Sequence, residues 1–279
     1  MSSARSSNTS RPRPWPGWPR ASRPPTGRPP PMLRDRVPIN ATVPAVDAAR
    51  VPELLDRFPG ARTAKVKVAE AGQSLADDVA RVNAVRERVP TVRVDANAGW
   101  TVPEAVDAAA ALTADGSLEY LEQPCATVEE LASLRRMIDV PIAADESIRK
   151  AEDPLRVVRA GAADVAVLKV APLGGVSRML DIAAQIDIPI VVSSALDSAV
   201  GIGRGLLAAA ALPKLHHACG LGTGGLFVED VVAPTVPVDG FLPVGPVVPD
   251  PDRLAALATS PDRRQWWIDR VRACYPLLG

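Results

Sequence analysis

Eight short runs rich in β-branched residues recur along this chain roughly every 25 residues, with helix-start signals between them, an order that predicts parallel strands joined by crossover helices. The runs read VPINATV, TAKVKV, TVRVD, LEYLE, VPIAAD, DVAVLK, IPIVVSS and KLHHAC. Between them, Leu75, Val79, Val82 and Val85 recur at helical spacing. Thr101 with Glu104, and Thr127 with Glu130, have the capping-box spacing, and Pro103 stands in the first turn of its helix. Ser177 is expected to open RMLDIAAQI, and GIGRGLLAAAAL forms a further helix. Eight such units predict an α/β fold closed as a (β/α)7β TIM-type barrel, not an open sheet.

Five of the runs end in, or carry at their ends, a reactive side chain: Lys67, Asp95, Glu122, Asp145 and Lys169. The acids follow one another at spacings of 27 and 23 residues. If the strands belong to one closed parallel sheet, their C-terminal ends meet on one face, where barrel enzymes keep their chemistry. One such acid alone reads as a solvated strand end or a helix cap. Three in register suit a hard divalent cation, which prefers oxygen ligands and leaves positions for water and substrate. Lys65 and Lys67, two residues apart, share one strand face and, read alone, could be a charged rim. A lysine beside a cation and a second ammonium has its charged form disfavoured and can serve as a general base.

The chain has 279 residues and is 47% apolar, enough for a large core. Its net charge is zero, but residues 1–33 hold six Arg and no acid, so the rest carries −6 and lacks the basic surface that nucleic acid requires. Cys125, Cys219 and Cys274 are odd in number and far apart, which fits a reducing compartment better than a disulfide framework or a zinc site. No apolar run is long enough to span a bilayer and no secretory signal is evident, so a soluble, cytoplasmic protein is expected. The Arg- and Ser-rich start is too interrupted by proline for the amphipathic helix of a transit peptide.

Residues 1–31 are Pro/Arg/Ser-rich, nearly without aliphatic side chains, and are expected to be disordered. The division that follows is a tail at 1–33, a barrel at 34–235 and a C-terminal segment at 236–279. Residues 236–257 read as extended, and Ser260-Pro261 starts a terminal helix whose Trp266, Trp267, Val271, Cys274 and Tyr275 form an apolar face in need of a partner.

Lys65-x-Lys67, VDANAGW with Asp95 and Asn97, LEQP with Glu122, ADES with Asp145 and Glu146, and LKVAPLGG with Lys169 together resemble the enolase superfamily, muconate-lactonizing subgroup, over about residues 34–279. The resemblance implies Mg²⁺, with Mn²⁺ as a substitute, held by Asp95, Glu122 and Asp145 and engaging a small-molecule carboxylate substrate. It implies Lys67 as acid/base, Lys169 as an electrostatic partner, and Lys65, Asn97 and Glu146 as groups that tune them. The activity implied is a lyase reaction, the syn dehydration of a hydroxy-cyclohexadiene carboxylate in menaquinone biosynthesis. N-acylamino acid racemisation, dipeptide epimerisation and a non-catalytic remnant are the alternatives. The family also carries an α+β capping domain before the barrel, which has no counterpart in residues 1–33, so the C-terminal segment is expected to lack the domain it packs on. Ser193, Ser194, Gly222 and Gly224 follow the last two runs, where barrels bind anionic groups, and are candidates for a second substrate carboxylate. Tight-turn glycines and strand-end serines would read the same way.

Overall fold

The computed structural model describes residues 30–149, 153–233 and 235–277. The expected tail falls outside these residues except at its end, where Leu33 donates its backbone N–H to the Ala210 carbonyl at 2.9 Å. Nine strands are described: β1 (Arg36–Pro38), β2 (Ala41–Val43), β3 (Thr63–Lys67), β4 (Thr91–Asp95), β5 (Leu121–Glu122), β6 (Ile142–Ala144), β7 (Val165–Lys169), β8 (Ile190–Ser193) and β9 (Phe241–Pro243). Strands β2 to β8 form one seven-stranded sheet in sequence order, every neighbour parallel.

Two single-residue bridges, Ile39 to Cys219 and Ser193 to Gly220, join the two edges of this sheet. Cys219 N donates to Pro38 O at 2.7 Å and Gly220 N to Val192 O at 2.9 Å. Carrying the paired residues once round, from Val43 through Val66, Val94, Leu121 and Ile142 and on across the bridges, returns to Asp35, eight residues before Val43. That stagger is the shear of a TIM-type barrel. Tyr120, Ala143, Val165, Val167 and Val191 pack as a cluster inside it, separate from the larger core beneath the helices.

The structure corrects several expected elements. KLHHAC forms no regular strand, and the closing stave is the displaced pair Cys219–Gly220. The cause is contact with distant segments: the Ala218 carbonyl is taken by the Arg93 guanidinium at 3.0 Å, and His217 turns to Glu119 at 2.8 Å. VPINATV divides between two sheets, because its first half pairs antiparallel with β9. The stretch 236–257 is not extended throughout, since Pro251–Ala256 is a helix capped by Asp250. The helix expected from Ser177 begins at Val176, behind Gly175 at φ 109.

The helix starts otherwise follow the sequence signals. Thr127 N donates to Glu130 Oε2 at 2.9 Å while Glu130 N donates to Thr127 Oγ1 at 3.2 Å, and the Glu104 carboxylate accepts from both N and Oγ1 of Thr101. The terminal helix, Pro261–Cys274, leaves Trp266, Trp267, Val271 and Tyr275 exposed. Among the described residues no helix is long and apolar enough to cross a membrane.

The β1–β9 ribbon is fastened to the barrel at a glycine pair. Gly240 N donates to Pro59 O at 3.0 Å, and a Cβ on Gly60, at φ +75, would stand 2.5 Å from Asp239 Cα. Gly60→Ala should therefore cost about 1–3 kcal/mol from the left-handed backbone alone, and more from the collision. Chemical denaturation checks this, and an unchanged midpoint would show that the ribbon is not clamped there.

Candidate active site

Alternation along a strand places residues two apart on the same face, so Lys65 and Lys67 on β3, Arg93 and Asp95 on β4, and Tyr120 and Glu122 across β5 all point into the barrel. The register sets Lys67 beside Asp95, Asp95 beside Glu122, and Glu122 beside Ala143, with Asp145 two residues further on the same face. At the far side Lys169 pairs with Ser193. The five predicted groups thus stand in one arc at the C-terminal ends of successive strands.

Their side chains meet. Lys65 Nζ lies 2.8 Å from Asp95 Oδ2 and 2.8 Å from Glu122 Oε1. Lys67 Nζ donates to Asp95 Oδ2 and to Asn97 Oδ1, both at 2.6 Å. Lys169 Nζ donates to Asp145 Oδ2 at 2.6 Å. Asp95, Glu122 and Asp145 are buried, as are Lys65 and Lys169, whereas the Lys67 side chain is 28% exposed and is the one that reaches the open mouth.

The backbone turns sharply after two of the acids. Asn97, Ala98 and Gln123 have φ values of 47, 65 and 39, a left-handed conformation that non-glycine residues adopt at a cost. Asn97 is thereby turned toward Lys67, and its Nδ2 donates to Glu146 Oε1 at 3.3 Å. Gln123 Oε1 accepts from the backbone N–H of Asp145 at 3.0 Å and of Ser147 at 3.1 Å, tying the end of β5 to the end of β6.

Sequence reasoning missed two of these groups. Arg149 Nε donates to Asp145 Oδ1 at 2.9 Å and its Nη2 also engages Glu146. The spacing i, i+4 from Asp145 at a helix start was the available signal. Gln123 had no signal beyond its place after Glu122.

Electrostatics follow from crowding like charges out of water. Burial pushes the Glu122 carboxyl up to about 7, and the neighbouring charges of Asp95 and Asp145 push in the same direction. Burial would also raise Asp95, but the ammonium groups of Lys65 and Lys67 overcome it and hold that carboxyl well below the usual range. Burial acts to lower Lys65, yet Asp95 and Glu122 together hold it well above its ordinary value.

Three buried carboxylates in one arc match the donor chemistry of a hard divalent cation. The Lys65 ammonium already occupies the place of a cation between two of them. Among the described residues no three acids are drawn together closely enough to hold one ion; instead Lys65 spans Asp95 and Glu122 while Lys169 and Arg149 hold Asp145.

The remaining candidates divide. Ser193 and Ser194 are buried at the end of β8, and Ser194 Oγ lies 2.7 Å from Thr223 Oγ1. Gly222 and Gly224 are not brought to the acids. Gly222 packs against the Asn40 carbonyl and the Phe58 ring, and both glycines line an outer cavity of about 510 Å³ with Ile202 and Leu206.

Comparison with known proteins agrees with this geometry. The family described as Enolase C-terminal domain-like matches residues 48–251. The o-succinylbenzoate synthase of Mycolicibacterium smegmatis is 83% identical over 249 residues, covering 89% of this chain and 78% of that protein. That of Mycobacterium marinum is 78% identical over 252 residues, covering 90% and 77%. Among solved structures, a muconate cycloisomerase from Pseudomonas fluorescens aligns with a TM-score of 0.69 at 29% identity, over 81% of this chain and 66% of its own. An isomerase from Streptomyces coelicolor A3(2) aligns with a TM-score of 0.67 at 28% identity, over 81% and 66%. With its parallel curled sheet, its arc of acids and lysines and these relatives, the chain belongs to the enolase superfamily.

Proposed function

We propose that this chain is an o-succinylbenzoate synthase, a lyase that dehydrates 2-succinyl-6-hydroxy-2,4-cyclohexadiene-1-carboxylate to 2-succinylbenzoate in menaquinone biosynthesis. The observation that carries the reading is the placement of Lys67 and Lys169 at opposite ends of a row of three buried carboxylates, in a chain 83% identical to a protein of that name.

Asp95, Glu122 and Asp145 would hold Mg²⁺, or Mn²⁺ in its place. A divalent ion there supplies Lewis-acid neutralisation of the negative charge that develops on the substrate carboxylate. The acids Asp95, Glu122, Asp145 and Glu146 face Lys65, Lys67, Lys169 and Arg149, so a divalent ion in the site would leave it positively charged and suited to a carboxylate substrate.

Lys67, more accessible than Lys65 or Lys169, takes the proton α to the ring carboxylate as a neutral amine. It then returns that proton to the departing hydroxyl on the same face. One C–H and one C–O bond break, water leaves, and the ring becomes aromatic without an oxidant. Lys169 remains charged and faces the intermediate electrostatically. Asn97 and Lys65 orient Lys67 and Asp95, while Arg149 and Glu146 brace Asp145. Ser193, the register partner of Lys169, and Ser194 after it would contact the succinyl carboxylate, with the glycines of 222 and 224 shaping the loop behind them. The proposed division is a tail at 1–33, a barrel at 34–235 and a C-terminal segment at 236–279 that would pack on a capping domain, a reading supported by the exposed Trp266 and Trp267.

The test is turnover of the cyclohexadiene by the purified chain with Mg²⁺, followed by the appearance of 2-succinylbenzoate. Chelation should reduce the rate to background, and added Mn²⁺ should restore it. A preparation that binds metal and racemises N-succinyl amino acids but forms no 2-succinylbenzoate would replace this reading with the racemase one, since the same two lysines serve both reactions.

A further inference from the structure

One layer below the carboxylates the barrel contains a charged residue that the proposed chemistry does not use. Arg93 stands two residues before Asp95 and Tyr120 two before Glu122, and the pairing of Val94 with Leu121 sets Arg93 opposite Tyr120. Both are fully buried. Arg93 Nη1 donates to Tyr120 Oη at 2.7 Å and to the Ala218 carbonyl at 3.0 Å, and its Nε donates to Glu119 Oε2 at 2.8 Å. Its guanidinium carbon lies 4.5 Å from the Tyr120 ring centroid. Glu119 Oε1 is in turn 2.8 Å from His217 Nδ1. A single guanidinium thus fastens β4, the β5 region and the segment that closes the barrel.

The apolar neighbours in this interior are Ala143, Val165, Val167 and Val191, while Lys65, the register partner of Arg93 on β3, is turned up to Asp95 and Glu122. Burying a charged group carries a large solvation cost, and apolar replacement of a buried ion pair is often neutral or stabilising, so stability alone does not explain an arginine here. Its position does. The regular part of β5 is only the two residues Leu121–Glu122, which leaves Glu122 little strand of its own to fix its place beside Asp95. The planar fork of arginine can hold several acceptors in fixed directions at once.

We propose that Arg93 is a positioning residue for the acid row: acting with Tyr120 and Glu119, it fixes the separation of Asp95 and Glu122 so that both carboxylates can face one divalent cation. The inference rests on the metal-site reading and adds to it a group that touches neither metal nor substrate.

Calorimetric titration of the full chain with Mn²⁺ tests it, with metal-free thermal melts run alongside. Arg93→Met should weaken Mn²⁺ binding about ten- to a hundred-fold. Tyr120→Phe should weaken it less, in the same direction, and Arg93→Lys should fall between Arg93→Met and the parent. Arg135→Met, which removes an exposed pairing with Asp164, should leave affinity unchanged. A purely structural arginine would lower the melting temperature of Arg93→Met yet leave the Mn²⁺ affinity of the folded protein at the parental value, and that result overturns the proposal. Should Arg93→Met fail to fold, parental affinity in both Tyr120→Phe and Arg93→Lys overturns it equally. A parent chain that binds no Mn²⁺ sinks the metal reading and this inference together. A parent that binds, with Arg93 and Tyr120 variants indistinguishable from it, sinks the inference alone.

Discussion

Lys67→Ala should lose dehydration by about 10³-fold or more and lose exchange of the substrate α-proton with solvent to the same degree, because proton transfer by a placed side chain contributes roughly 10²–10⁴-fold. The loss should appear in kcat, since the group acts on the reacting bond and not on the substrate carboxylates. The fold should survive. Lys67 is partly exposed, and Asp95 keeps its second ammonium, from Lys65, at 2.8 Å. Deuterium wash-in monitored by NMR, beside a thermal melt, separates the two effects. A folded variant that still exchanges the α-proton at the parental rate would exclude Lys67 as the base and leave Lys169 as the candidate.

Asp95→Asn should remove divalent-cation binding and turnover, and should also destabilise the metal-free protein. Asp95 Oδ2 accepts from Lys65 and Lys67 at once, and Lys65 is buried with Glu122 as its other partner among the described residues. Taking away one side of a buried charge pair costs about 3–5 kcal/mol, because the remaining charge is left in a poor solvent. The substitution is nearly isosteric, so lost packing contributes little. Because the Asp95 carboxyl is held below its ordinary value, its stabilisation is complete above the unfolded value near 4 and disappears as pH falls through the folded one. The variant should consequently lose the acid-side part of the parent's stability profile. Denaturant titrations in chelator across pH 2–6 measure this, and equal stability of the two proteins at pH 6 would show that the Lys65 pair does not hold the site together.

Much of the fold was legible because the relevant signals are local. Capping boxes at Thr101 and Thr127 depend on residues three apart, and strand alternation depends on neighbours two apart, so both can be read without knowing what packs where. The acids were legible for a related reason: Asp95, Glu122 and Asp145 each break an apolar run at its end, a place where burial has no use for a charge unless chemistry does. What the sequence concealed is decided by contacts between distant segments. KLHHAC has strand-like composition, but Arg93 competes for its backbone at Ala218, 125 positions away, and moves the pairing to Cys219–Gly220. Gly222 and Gly224 follow that displaced stave and line the outer cavity, where Gly222 meets Phe58 from a distant part of the chain. Arg149 was hidden differently, because an arginine in the first turn of a short helix usually faces water, and only the inward Asp145 draws it back.

The closing bridge between Ile39 and Cys219 also sets a schedule for synthesis, since its two partners are separated by 180 positions. Strand β2 finds its first neighbour in β3 soon after both leave the ribosome, but its other side stays bare until Cys219 follows. At translation rates of 5–20 residues per second that interval lasts roughly 10–40 s. Through it, the nascent sheet carries two unpaired parallel edges, each able to recruit a strand from a neighbouring chain. A ribosome that stalls before Cys219 leaves a product with every proposed catalytic side chain already made and no means of closing the ring around them, a species fitted to chaperone capture or to aggregation.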